Sequence, residues 1–251
     1  MTTIAPDLHE SYGVLMVASV VLLLLTPTTA HFTRSTDRAR YYTMQAVTAL
    51  GAVAGAKLGV VFGEALWPLR PFDDWSALLA SGRSIAGALL FGFLAVEAVK
   101  PILKYDIPPN DRFAVALPFS IAIGRIGCLV AGCCRGAPWD GPFAVVYDDG
   151  IPRHPAQLYE ALFQLAAGWI LLRLWRRNIL FGRLFALYLA SYGAFRFATE
   201  FIRDTAKPFA GLSAYQWMGL GMVVAGAAAL YLRSREQPES WRRWQLKGEA
   251  A

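Results

Sequence analysis

The sequence predicts an all-α protein that crosses a membrane about seven times, and three observations carry that prediction. Of its 251 residues, 56% are hydrophobic and 17% charged, with a mean hydropathy of +0.39, a balance that belongs to polytopic membrane proteins. Apolar segments close to the length that crosses a bilayer, about 20 residues each, recur at 12–30, 43–63, 82–99, 113–131, 156–175, 181–202 and 212–232. The basic residues then fall into a topological pattern. Seven spans put Arg34, Arg38 and Arg40, then Lys100, Lys104 and Arg112, then Arg173, Arg176, Arg177 and Arg183, then Arg233, Arg235, Arg242, Arg243 and Lys247 on one face. Enrichment of Lys and Arg makes that face cytoplasmic. The opposite face mixes Arg70, Arg135, Arg153, Arg203 and Lys207 with Asp73, Asp74, Asp140, Asp148, Asp149 and Asp204, so the amino terminus is expected outside and the carboxyl terminus inside.

The first apolar segment is read as a retained helix. Asp7, His9 and Glu10 precede it where a secretory signal would be basic, and Thr28, Thr29 and Ala30 make a weak cleavage site. In the second, Gly51, Gly55 and Gly59 form overlapping small-xxx-small steps that predict a close helix contact, and Lys57 is expected to snorkel or to join a polar cavity. Residues 68–81, flanked by Trp67 and containing Trp75, have the aromatic and acidic character of an outer interfacial segment. Between the fourth and fifth spans, residues 136–155 are rich in Pro, Gly and Asp, and their FAVVYDDG portion predicts a short hairpin or a re-entrant loop. The fifth span opens at RHPAQLYE, where Pro155 suits a first helical turn and His154 sits at or beside the cap. GLGMVVAG in the last span adds further glycine contacts, and the tail with Trp241 and Trp244 is read as an amphipathic surface helix. No linker, repeat or change of composition divides the chain, so residues 1–232 are expected to form one membrane domain and 233–251 a short basic cytoplasmic tail. The net charge of +6 follows from topology. Its dispersal over separate loops, with no basic module, argues against a nucleic-acid partner.

The polar residues inside these spans point to chemistry. Arg125, Arg153 and His154 lie at or near the lipid boundary, where an Arg costs roughly 2.5–3.5 kcal/mol to insert and therefore tends to face a polar cavity or a functional site. In the sixth span Tyr192, Arg196, Glu200 and Arg203 recur at helical spacing and predict a polar stripe. That stripe reads either as an Arg–Glu ladder that fixes packing or as an Arg held by Glu200 whose guanidinium fork grips a phosphate or carboxylate. Arg125 would be a second cationic wall. His154, with an ordinary pKa of about 6.5, can accept a proton from a thiol or hydroxyl nucleophile or serve as a structural hydrogen-bond group. Gln157, Tyr159 and Glu160 either complete its hydrogen-bond shell or line a packed interface. Cys128, Cys133 and Cys134, the only cysteines, share one seven-residue window. They read as small buried residues beside glycines, as a nucleophile or lipid-handling thiol near Arg125 and Arg135, or as a redox pair. Three thiols in C-x4-C-C order do not match the usual zinc pattern, and His154 is the one evident fourth ligand, so no metal and no cofactor is expected.

LHESYGVLM near the start, GAKLG in the second span, GRIG at 124–127, RHPAQLYEA at 153–161, YGAFRFATEFIRD at 192–204 and the Gln216-Trp217 pair together resemble the bacterial prolipoprotein diacylglyceryl transferases. The resemblance implies a seven-helix enzyme of the bacterial inner membrane. Such enzymes move the diacylglyceryl group of phosphatidylglycerol onto the cysteine thiol of a lipoprotein precursor peptide and release glycerol phosphate. It implies that Arg125 and Arg196 are the phosphate-binding and catalytic arginines, with Glu200 and Tyr192 their supports and His154 part of the outer mouth of the site. Together with the reading of the residues themselves, Arg125, Arg196, His154 and Glu200 are expected to be catalytic, and Tyr192, Arg203, Gln157, Tyr159, Cys128, Cys133 and Cys134 to contact substrate. The chain also departs from the family pattern. Ala86 stands where the family usually has a His in its third span, Cys128 replaces an Asn and Cys133 a Glu in the stretch after GRIG. Two other readings stay open on the residues alone: a paralogous transferase that uses the cysteines for a different acceptor, and a non-catalytic lipid-binding or transport protein.

Overall fold

The computed structural model describes residues 2–3, 9–24, 35–65, 84–105, 111–207 and 210–235. The interfacial segment expected at 68–81 and the tail helix expected after residue 235 lie outside them. Seven α-helices occur among the described residues: α1 (His9–Leu24), α2 (Ser35–Val60), α3 (Ile85–Val99), α4 (Asp111–Val130), α5 (Ala156–Arg176), α6 (Leu184–Thr199) and α7 (Ala214–Arg235). Three stretches, Arg38–Gly63, Asp111–Val130 and Ala214–Ser234, are helices long and apolar enough to cross a membrane, and Ile85–Val99 is a shorter apolar helix. Leu50, Val53, Ile170 and Val224 are exposed, as lipid-facing side chains are in a protein whose outer solvent is hydrocarbon.

The chain forms two compact units. The first contains residues 1–28, 110–184 and 201–204, and thus α1, α4, α5 and a small sheet. Here α4 packs against both α1 and α5, and the Ser120 hydroxyl donates to the Ser19 carbonyl at 2.7 Å. Asp111, buried at the start of α4, accepts from the backbone N–H groups of Gly182 (2.6 Å) and Leu184 (3.3 Å). It thereby satisfies donors at the α5–α6 turn that would otherwise be buried without partners. Arg112 lies over the Trp175 ring at 5.3 Å, so the basic end of α5 and the start of α4 meet at one end of this unit. The FAVVYDDG segment is a hairpin: β2 (Val145–Val146) pairs antiparallel with β3 (Pro152–Arg153), and β1 (Thr2–Thr3) adds a parallel edge.

The second unit holds residues 29–109, 185–200 and 205–251. Its centre is the crossing of α2 and α3, and the glycine steps explain it. A Cβ on Gly55 would run into the Gly87 carbonyl and Phe91, one on Gly87 into the Gly55 carbonyl, and one on Gly59 would stand 2.7 Å from the Ser84 side chain. The two backbones approach so closely that Ser84 donates its N–H to the Ala56 carbonyl (3.0 Å) while its hydroxyl caps α3 by accepting from Gly87 N (3.1 Å). Gly55→Leu is therefore expected to lose about 1–3 kcal/mol or more of stability through overpacking, read as a lower unfolding temperature in detergent; an unchanged temperature would refute the close crossing. A capping box opens α7: Gln216 Oε1 accepts from Ser213 N at 2.9 Å and Ser213 Oγ from Gln216 N at 3.2 Å. At the other end of α7, Arg233 pairs with Glu97, which also holds Lys100, so the basic ends of α3 and α7 meet.

Candidate active site

Arg125 projects from α4 into the packed α4–α5 contact. Its Nε lies 2.9 Å from Glu160 Oε1 on α5, with side-chain exposures of 11% and 1%. A cation at this depth is sustained by its carboxylate and retains the fork geometry that binds phosphate oxygens in pairs. One turn before Glu160, the polar residues that begin α5 reach back to the preceding loop. Buried Gln157 accepts from the Tyr147 hydroxyl (3.0 Å) and donates its amide to the Cys133 carbonyl. Tyr147 directly follows the hairpin's first strand, and burial raises the pKa of its phenol.

His154 immediately precedes the Pro155 cap of α5. Its backbone is held on both sides, donating to the Ala137 carbonyl (3.1 Å) and accepting from Gly136 N (3.0 Å). Its ring stacks on Trp139, with centroids 4.7 Å apart and planes at 14°, and Nδ1 is 3.3 Å from the Tyr159 hydroxyl. Partial burial lowers its pKa, so the imidazole stays neutral at physiological pH, the form that accepts a proton. In the loop before it, Asp149 gathers Ile151 N (3.1 Å), Arg153 (3.0 Å) and Arg135 (3.2 Å). These contacts, the Ile151 N–H first, hold its carboxyl below the usual range.

The cysteines converge because of how α4 ends. Gly132, at φ +64, donates to the Leu129 carbonyl and Cys133 donates to the Cys128 carbonyl, both at 3.1 Å, the bond pair of a Schellman motif. That motif brings together the side chains at Cys128 and Cys133, and Cys134, itself at φ +59, turns its thiol to join them. All three sulfurs lie within 4.8 Å of one another, and all are free thiols. Hydrogen bonds with Cys128 and then Cys133, helped by the charges of Arg125 and Arg203, hold the Cys134 thiol well below its ordinary range against the opposing effect of burial.

The second unit carries the other arginine. Arg196 Nη2 donates to Glu200 Oε2 at 3.0 Å, and the Thr205 hydroxyl donates to Glu200 Oε1 at 2.7 Å, with Arg196 6% and Glu200 0% exposed. Tyr192, fully buried, stacks between Tyr188 (5.8 Å) and Phe195 (6.4 Å). The expected four-residue stripe is shorter than its spacing suggests. Helix α6 stops at Thr199 and a 3-10 turn follows over Glu200–Ile202. Arg203 lies beyond that turn, in the first unit, where the neighbouring Ile202 carbonyl accepts from Ala137 N at 2.9 Å. Tyr147, Trp139 and Thr205 were missed from sequence; only the hairpin signal around Tyr147 pointed toward any of them. Ala86, at the family's His position, is buried in the first turn of α3.

The model of the prolipoprotein diacylglyceryl transferase family matches residues 3–232. The chain belongs to that family. Among similar curated proteins, the phosphatidylglycerol–prolipoprotein diacylglyceryl transferase of Bordetella parapertussis is 34% identical over 202 residues, covering 75% of this chain and 76% of its own. That of Cupriavidus pinatubonensis is 32% identical over 205 residues (76% and 73%), and that of Solidesulfovibrio magneticus is 32% identical over 209 residues (76% and 75%). The diacylglyceryl transferase match therefore spans α1 through most of α7 and takes in every candidate residue described above.

Proposed function

We propose that the chain transfers the diacylglyceryl group of phosphatidylglycerol to the cysteine thiol of a prolipoprotein. The observation that carries this reading is the family match over residues 3–232, joined by relatives of the same printed activity that cover about three-quarters of the chain. In the reaction the precursor sulfur forms a bond to the glyceryl carbon, the bond from that carbon to the phosphate oxygen breaks, and glycerol phosphate leaves with the electron pair. On the family resemblance, Arg125 and Arg196 are the arginines assigned to the phosphate as it gains charge; within its own unit each is a buried guanidinium preset by a carboxylate, and such an interaction strengthens where water is excluded. Glu160, Glu200 and Thr205 position those arginines. Neutral His154 accepts the thiol proton, with Tyr159 and Trp139 fixing its ring. Gln157, Tyr159, Arg203, Tyr192 and the three cysteines are assigned to substrate contacts in the same reading.

In the same reading the chain is one membrane domain of seven spans over residues 1–232, with its amino terminus outside and its carboxyl terminus in the cytoplasm, in the bacterial inner membrane. The test is expression in a strain depleted of its own diacylglyceryl transferase, with precursor lipidation read by mass shift. Restored lipidation supports the assignment, and well-expressed protein with no lipidated precursor rejects it.

The role of His154 makes a pH prediction. Burial lowers its pKa, so the neutral base persists below the ordinary histidine value, and transfer should fall only as pH drops beneath about 6.5. His154→Gln should be slow and should lack that acid limb. A variant with the wild-type pH profile would remove His154 from proton transfer.

A further inference from the structure

We propose that Cys128, Cys133 and Cys134 form a three-sulfur binding site for a soft, thiophilic metal ion, with Cu(I) as the cation it fits best. The C-x4-C-C spacing matches no usual zinc pattern, and on a helix that simply ran on these side chains would spread around its circumference. The end of α4 changes that. Its Schellman bonds from Gly132 to Leu129 and from Cys133 to Cys128 put two of the thiols side by side, and the left-handed backbone of Cys134 supplies the third. A non-glycine residue holds such a conformation at a cost of about 1–2 kcal/mol, and here the result is convergence of the chain's only three thiols.

The geometry suits a metal. Sulfurs bound at about 2.3 Å to one ion stand roughly 4 Å apart, and these three already lie within 4.8 Å of one another. Among the described residues the cluster is three sulfurs with no His, Asp or Glu atom in the group. That favours Cu(I), which is soft and accepts three-coordination, over zinc, which takes four ligands in structural sites. Access is graded in the right sense, with Cys128 buried, Cys133 half-buried and Cys134 exposed, so an ion can enter from the Cys134 side and be held against the buried sulfur. Three thiolates around Cu(I) carry two net negative charges once the thiol protons have passed to solvent. The Arg125 and Arg203 charges, which act on Cys134, oppose that excess. The site stands independently of the transferase reading and holds or fails whatever the acceptor.

The test uses the full-length, reduced protein in detergent micelles, titrated anaerobically with Cu(I) in competition with bathocuproine disulfonate. Wild type should retain about one Cu(I) per chain, with an X-ray absorption spectrum fitted by three sulfurs at about 2.3 Å. Cys134→Ser, which alters the exposed member and spares the buried packing of Cys128, should weaken retention about tenfold or more and leave two sulfurs. Equal retention by wild type and Cys134→Ser would overturn the site. So would a wild-type spectrum with fewer than three sulfurs, a reading that needs no variant to fold, or a wild type that loses its copper to the chelator as readily as the triple serine variant.

Discussion

Arg125→Lys should lower diacylglyceryl transfer by about 10²–10³-fold, the usual consequence of removing one preset donor to developing charge, while the protein still folds. The substitution separates two jobs of this side chain. Lysine keeps a cation opposite Glu160, which is 1% exposed and pairs with Arg125 at 2.9 Å, so the buried carboxylate is not abandoned. What is lost is the planar fork that grips two phosphate oxygens at once. Arg125→Ala is the poorer experiment, because breaking a buried ion pair by removing one partner costs about 3–5 kcal/mol and would confuse loss of chemistry with loss of fold. The measurement is single-turnover transfer to a precursor peptide beside an unfolding curve of the same preparation. Near-wild-type transfer in folded Arg125→Lys would remove the guanidinium from the mechanism.

Arg196→Ala should lose both transfer and about 3–5 kcal/mol of stability. Glu200 is fully buried, and the substitution takes away the guanidinium that donates to its Oε2 while the Thr205 hydroxyl stays on Oε1. Adding Glu200→Gln to it removes the buried negative charge that Arg196 balanced. The double variant should therefore recover much of the stability while remaining inactive, since the cation that meets phosphate is still missing. This pattern divides the two readings of the polar stripe. If the pair only fixes helix packing, the double variant should regain activity along with stability, and the proposed catalytic role of Arg196 would be withdrawn.

How much of this was legible from sequence depended on whether a feature was local. The Arg196–Glu200 pair is four residues apart on consecutive turns, so spacing alone found it, and the 3.0 Å bond is what that spacing allows. Arg203 failed the same logic because the helix ended early: the 3-10 turn at Glu200–Ile202 breaks the periodicity on which the stripe rested. The glycines at 51, 55 and 59 announced a close contact, but not that α3 makes it through Gly87 and Ser84. Glu160 was visible only as a possible member of a hydrogen-bond shell. That it pairs with Arg125, thirty-five residues earlier in the chain, depends on the register in which α4 and α5 pack.

By itself the sequence determined the membrane character, the positions of the helices, the hairpin after α4 and, through its motifs, the family. Those properties follow from composition, from the length of apolar runs, from local clusters of Pro, Gly and Asp, and from short contiguous signatures, all of which are one-dimensional. Tertiary structure alone decided that Glu160 sustains Arg125, that Tyr147 and Gln157 tie the hairpin to α5, that Trp139 carries the His154 ring, and that three thiols meet. Each of these is a distance between side chains set by interhelical packing or by the handedness of a single turn, and no spacing along the chain encodes it.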